Sequence, residues 1–149
     1  MKYSTKLSDA AHILVLIAMH ADEKMSSTVI AESIRTNPGY VRQLMGKLRT
    51  GGLLHSVRGH AMPQLGVPAE QMTLLDIYKA VEGSKLLLHL DTHTNPECGA
   101  GVNIQLALQD YYNEVQSAAE EKMRTITLAE IIETCRERIA RCSMPAGNG

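Results

Sequence analysis

The 149-residue chain contains no phenylalanine and no tryptophan, and five tyrosines carry all its aromatic character. That argues against an aromatic sugar-binding cleft or a base-stacking platform. Leu, Ile, Val, Ala and eight Met are left to fill the core. Three cysteines, an odd number at wide spacing, do not make a disulfide framework. The longest mostly apolar run, Ala10 to Met19, is interrupted by His12. It falls short of the ~20 apolar residues that cross a bilayer. The opening Met1-Lys2-Tyr3-Ser4-Thr5-Lys6 has neither the apolar stretch nor the cleavage site of a signal peptide, so a cytoplasmic protein with no membrane partner is expected. There is no phosphate loop, nucleophile elbow or paired-carboxylate motif, so no enzyme and no catalytic residue is expected.

What is present is ordinary for a globular chain: 44% hydrophobic and 21% charged residues. A chain of this length favours one domain, or one compact unit with an appendage, and buries roughly 70% of its unfolded surface. The formal charge of −1 conceals an asymmetry. Residues 1–60 carry eight Lys and Arg against four Asp and Glu, a net of +4, and the remainder nets −5. A basic first half hints at an anionic partner for that half.

Ile13, Leu14, Ile17 and Ala21 recur at helical spacing and predict a helix over residues 8–20. Ser27 is placed to cap a second helix through Ile34, with Ile30, Ala31 and Ile34 facing inward. Arg35-Thr36-Asn37 reads as a tight turn, and Asn37-Pro38 as a strong helix start. The third helix runs from Pro38 to about Arg49. Val41, Leu44, Met45 and Leu48 form its buried stripe. Its opposite face is centred on Gly39, Gln43 and Gly46, flanked by Arg42 and Lys47, with Tyr40 and Arg49 at the edges. Two short strands, Leu53–Val57 and Gln64–Val67, make a hairpin around the tip Arg58-Gly59-His60-Ala61-Met62-Pro63. Thr73 with Asp76 resembles a capping box for a helix that ends near Glu82 at Gly83, with Met72 and Ile77 as its staple. A mixed loop over 84–101 follows. From Val102 to about Met123, Ile104, Leu108, Tyr111, Val115 and Ala118 alternate by four and three, a heptad-like seam. A helix of that length is too long for one small domain to cover, and a second chain is the expected cover. Thr127 with Glu130 is a full capping box for a last helix to about Arg141, and Met144–Gly149 is a tail.

Three helices, a tight turn between the second and third, then a hairpin: this is the order of a winged helix-turn-helix. In that unit the third helix enters the major groove and presents side chains to base edges. Gln43 suits adenine and Arg42 guanine, while Gly39 and Gly46 let the helix approach closely. The bland alternative is a solvated face on a winged-helix module that binds protein without operator binding.

Several segments are similar to one family. They are Met1-Lys2-Tyr3-Ser4-Thr5-Lys6, Asn37-Pro38-Gly39-Tyr40-Val41-Arg42-Gln43-Leu44-Met45, Lys47-Leu48-Arg49-x-Gly51-Gly52-Leu53-Leu54-x-Ser56-Val57-Arg58-Gly59, and Thr73-Leu74-Leu75-Asp76-Ile77-Tyr78-Lys79-Ala80-Val81-Glu82-Gly83. They resemble the Rrf-two (Rrf2) family of bacterial winged helix-turn-helix transcription regulators, closely over residues 1–83 and more loosely to about 123. That family includes iron–sulfur and nitric-oxide-responsive repressors. The resemblance implies a mostly α fold with a small β-hairpin wing, and a homodimer joined by the long helix on a palindromic operator in double-stranded DNA. It also implies DNA contacts from Tyr3, Ser4 and Lys6, from Tyr40, Arg42 and Gln43, and from the wing residue Arg58. With the helix-face reading, Asn37, Gly39, Lys47 and the wing-tip His60 complete the candidate contacts. The wing tip departs from the family's glycine-rich pattern.

The resemblance implies organisation into a DNA-binding domain (1–83), a sensor-type loop (84–101), a dimerisation and C-terminal helix region (102–142) and a tail (143–149). Many members hold an iron–sulfur cluster on three closely spaced cysteines in that loop. Here only Cys98 stands there, with Cys135 and Cys142 far along the chain, so no family-type cluster and no other cofactor is expected. Two other readings of the loop compete with solvated residues. His89, Asp91 and His93 alternate in a way that would bring them together on an extended segment as metal ligands. Cys98 is a candidate single-thiol redox sensor: a thiol beside the Glu97 charge is expected to be less acidic, and one at a helix start more so. The signal is left open between a small molecule and a redox change.

Overall fold

A computed structural model of the chain describes residues 3–56, 63–97 and 99–143. Among these the elements run α1 (Lys6–Met19), α2 (Ser27–Ile34), α3 (Pro38–Thr50), β1 (Leu54–His55), β2 (Gln64–Leu65), α4 (Leu74–Glu82), α5 (Gly99–Arg124) and α6 (Leu128–Ser143). The order is that of a winged helix followed by two more helices.

Each of the first three helices turns its apolar stripe to one core. Ile13, Leu14 and Ile17 of α1, Ile30 and Ala31 of α2, and Val41, Leu44, Met45 and Leu48 of α3 are all buried there. Two expectations are corrected. Ala21 is exposed and lies beyond the end of α1, because Glu23 N–H turns back onto the His20 carbonyl at 3.0 Å; Met25 fills the core instead. The cap of α2 is Ser26 rather than Ser27: its hydroxyl accepts from Val29 N–H, leaving Ser27 as the first helical residue.

After α3, Gly52 sits at φ 77, a conformation that disfavours a side chain, and Leu53 N–H returns to the Leu48 carbonyl at 2.9 Å. The chain then enters the hairpin, where Leu54 pairs with Leu65 and His55 with Gln64 in antiparallel register. Gly66 N–H bonds the Leu53 carbonyl, and a Cβ on Gly66 would lie 2.1 Å from the Gly52 carbonyl oxygen. Only glycine allows that approach. The strands are shorter than their sequence suggests, and Val57 and the wing tip through Met62 lie outside the described residues.

Two capping boxes meet at the next junction. Thr73 and Asp76 exchange side-chain and backbone bonds at the start of α4, and Thr127 and Glu130 do so at the start of α6. An antiparallel bridge joins the two caps: Leu74 N–H bonds the Ile126 carbonyl at 2.8 Å and Leu128 N–H the Met72 carbonyl at 2.7 Å. Leu128 and Ile132 thereby enter the same core as Met72, Ile77 and Val81, and α6 packs on α1.

α5 is different. It has 26 residues, roughly 39 Å, and Gln116 is its one buried residue. It begins at Gly99, ahead of the expected Val102, because Gly99, Ala100 and Gly101 are too small to mark a helical period. Of its seam, Ile104, Tyr111, Val115 and Ala118 are exposed and Leu108 is half-buried. The tail from Met144 lies outside the described residues.

Candidate nucleic-acid interface

The start of α3 is set by two adjoining residues. Asn37, in an extended conformation, takes Tyr40 N–H on its Oδ1 at 2.8 Å, and Pro38 follows where a missing N–H does no harm. With one stripe of α3 committed to the core, Gly39, Arg42, Gln43 and Lys47 are exposed. A Cβ on Gly46 would meet nothing within 4 Å, so packing does not require that glycine; it keeps the middle of the exposed face flat. The head of Arg42 is steadied by α2, its guanidinium Nη1 donating to Ser27 Oγ at 3.3 Å. Gln43, Gly46 and Lys47 border a groove of about 550 Å³ whose other wall is Lys79 and Ala80 of α4. Lys79 was not anticipated from the sequence, because nothing in the pattern of α4 places it across from Lys47.

Tyr40 faces the other way. Its hydroxyl donates to Asp9 Oδ2 at 3.0 Å, tying the first turn of α3 to α1. Burial, then the hydrogen bond to Asp9 and its charge, hold the phenol above its ordinary pKa. The same carboxylate oxygen accepts from Thr5 Oγ1 at 3.1 Å. Ser4 Oγ donates to Glu82 Oε1 at 2.5 Å, so the N-terminal arm is tied to the end of α4. Tyr3 is free in solvent at 88% exposure, and Lys6 is half-buried. The arm, the start of α3 and the end of α4 are thus joined into one surface through Asp9 and Glu82, two acids that sequence reading passed over. The wing candidates Arg58 and His60 lie outside the described residues.

The loop after α4 is held along α5 by two glutamines. Gln116 Oε1 accepts from Leu87 N–H at 2.9 Å, and Gln105 Oε1 accepts from Asp91 N–H at 3.2 Å. Gln116 Nε2 also donates to the Tyr78 hydroxyl at 3.3 Å, and that hydroxyl donates to the Lys85 carbonyl at 2.5 Å. The loop, α4 and α5 therefore share one buried polar knot.

His89, Asp91 and His93 are exposed. Asp91 Oδ1 takes His93 N–H at 2.8 Å and lies 3.6 Å from His93 Nδ1. Among the described residues no three of His, Cys, Asp and Glu converge on a metal-sized point. Cys98 lies outside the described residues. Cys135 and Cys142 line an apolar face of α6 with Ile131 and Ile139. Seven residues apart on one helix, roughly 10 Å along its axis, they cannot ligate one small cluster side by side.

A family model described as an iron-dependent transcriptional regulator matches residues 3–134. The chain belongs to the Rrf2 family of transcriptional regulators. Its similarity to a Bacillus subtilis (strain 168) protein named "Putative HTH-type transcriptional regulator YwnA" is 35% identity over 129 residues, 87% of this chain and 96% of the other. Among solved structures it is similar to CymR (YrzC), the global cysteine regulator of B. subtilis, at 25% identity and TM-score 0.64, covering 89% of this chain and 97% of that one. It is also similar to IscR of T. potens at 26% identity and TM-score 0.69, covering 99% and 94%. The mostly helical winged fold is thus the fold of Rrf2 regulators, which bind DNA and are not enzymes. No helix among the described residues is long and apolar enough to cross a membrane. Among the described residues the two thiols, Cys135 and Cys142, stand apart on α6 and no three metal donors converge, so these residues by themselves do not present the ligand set of an iron–sulfur cluster.

Proposed function

We propose that this Rrf2 protein is a cytoplasmic repressor that acts as a homodimer on a palindromic operator, without an iron–sulfur cluster. The observation that carries the reading is the division of α3. Four apolar side chains are buried on one stripe, and Gly39, Arg42, Gln43 and Lys47 stand exposed on the other. Such a face fits the major groove: a flat centre for close approach, with Gln and Arg able to make paired hydrogen bonds to adenine and guanine. Asn37 orders the first turn, and Tyr3, Ser4 and Lys6 supply backbone contacts from the arm. Arg58 and His60 are assigned to the wing contact. In the dimer the seam Ile104, Leu108, Tyr111, Val115 and Ala118 is covered by its copy, and the two half-sites lie about one helical turn apart.

The test is selection of genomic fragments by the purified, reduced protein at moderate salt, with sequencing of the retained pool. One enriched inverted repeat overlapping a promoter, with transcription from that promoter falling as protein is added, is the expected result. No enrichment over input would overturn the operator reading and favour a protein partner for the winged helix.

A further inference from the structure

α2 ends in a pair of backbone bonds that require a left-handed residue. Arg35 N–H reaches the Glu32 carbonyl at 3.3 Å, and Thr36 N–H the Ala31 carbonyl at 2.9 Å. The residue between them in this cap is Arg35, at φ 62 and ψ 52. Glycine, or failing that asparagine, is the usual occupant, because any Cβ is brought against the backbone there and a short amide can offset the cost by local hydrogen bonding. Arg35 is the one non-glycine residue with positive φ among those described.

Among the described residues no contact accounts for an arginine at this point. Arg35 is exposed, and its guanidinium has no ion pair or side-chain hydrogen bond among the described residues. It does border a groove of about 570 Å³, together with Ser8, Asp9, Thr36, Asn37 and Tyr40. The groove lies beside the first turn of α3, the end of a recognition helix that meets base edges, where the DNA backbone must pass. One guanidinium and two hydroxyls are the donors a phosphodiester takes. Asp9 also lines the groove, and its Oδ2 accepts hydroxyls from both Tyr40 and Thr5, which turns that oxygen toward them.

We propose that Arg35, with the Ser8 and Thr36 hydroxyls, seats one backbone phosphate of duplex DNA beside α3. The strained cap is retained because the cation is needed there. This inference rests on the operator-binding reading and adds a contact to it. The role is positioning: a phosphate contact fixes register on the duplex and carries no sequence information.

The test separates stability from binding, because the two should move in opposite directions. Arg35→Gly removes the backbone conflict, so the thermal midpoint should stay level or rise by a few degrees. Binding to the selected operator and to a scrambled duplex of equal length should weaken alike, by about fivefold per protomer at ~0.15 M salt. The slope of log affinity against log salt should shrink by about one per protomer. Arg35→Lys should restore most of the slope. An unchanged slope in Arg35→Gly, or a weakened affinity that tracks a lowered thermal midpoint, overturns the phosphate seat. Wild-type protein that binds neither duplex overturns the operator reading and this inference together; wild-type binding with an unchanged variant overturns this inference alone.

Discussion

Arg42 and Asn37 lie five residues apart and do different work. Arg42 is exposed and held only near its head by Ser27, so its loss leaves the fold intact. Arg42→Ala should relax preference at one base of each half-site at a cost of roughly 1–3 kcal/mol. Binding to a panel of single-base operator variants checks this, and an unchanged preference would remove Arg42 from the base contacts. Asn37 acts on the helix itself. Asn37→Ala leaves Tyr40 N–H without its side-chain acceptor and should destabilise the protein by about 1 kcal/mol, measured by denaturant titration. Both residues were legible in the sequence, since a cap and an exposed face follow from local order. Tyr40 was legible only in part. Its position on α3 was evident, but the bond to Asp9, thirty-one residues away, depends on how α1 and α3 cross.

Among the elements, the loop after α4 shows how a few polar groups place a segment that has little apolar anchoring. Leu86, Leu87 and Leu88 are all exposed, so the loop is not held by burial. It is held by Gln116, the one buried polar residue among those described, through Leu87 N–H and the Tyr78 hydroxyl. Gln116→Leu fits an apolar side chain of similar size but leaves those groups without their partner. The expected loss is about 1–3 kcal/mol in global stability, with faster amide hydrogen exchange confined to residues 85–91. Exchange at those amides equal to wild type would mean that the glutamine does not hold the loop. The H-x-D-x-H spacing in this loop would bring its side chains together only on an extended strand. The segment instead follows α5, with Asp91 bonded to His93 N–H and to Gln105, and among the described residues no three donors converge.

The whole molecule has two kinds of surface. The core is closed by α1–α4 with the first turns of α6, whereas α5 carries Ile104 at 57%, Tyr111 at 65% and Val115 at 49% exposure along one side, and α6 leaves Ile139 open beside its two cysteines. A soluble chain seldom leaves so continuous an apolar stripe to water. A charge in the middle of the seam should therefore act on assembly rather than on folding. Val115→Glu is expected to sediment as a monomer with an unchanged helical signal, and to lose operator affinity because two linked half-sites bind far more tightly than one. A variant that sediments like the parent would take the seam out of the interface.

Periodicity, caps and breakers act over a few residues, and these decided the elements before any packing was known. The buried stripe of α3, the Asn37-Pro38 start, the glycines after α3 and α4, and both capping boxes are local physics. Together with the run of similar segments they were enough to reach the Rrf2 family. The rest needed contacts between distant parts of the chain. The bridge between Thr73 and Thr127 draws α6 onto the body, which no local pattern in α6 announces. The braces from Asp9 to Tyr40 and from Ser4 to Glu82 depend on three helices meeting. The tension at Arg35 became visible only with its backbone angle, because left-handed conformation is imposed by the turn into α3 and not by the side chain that must adopt it.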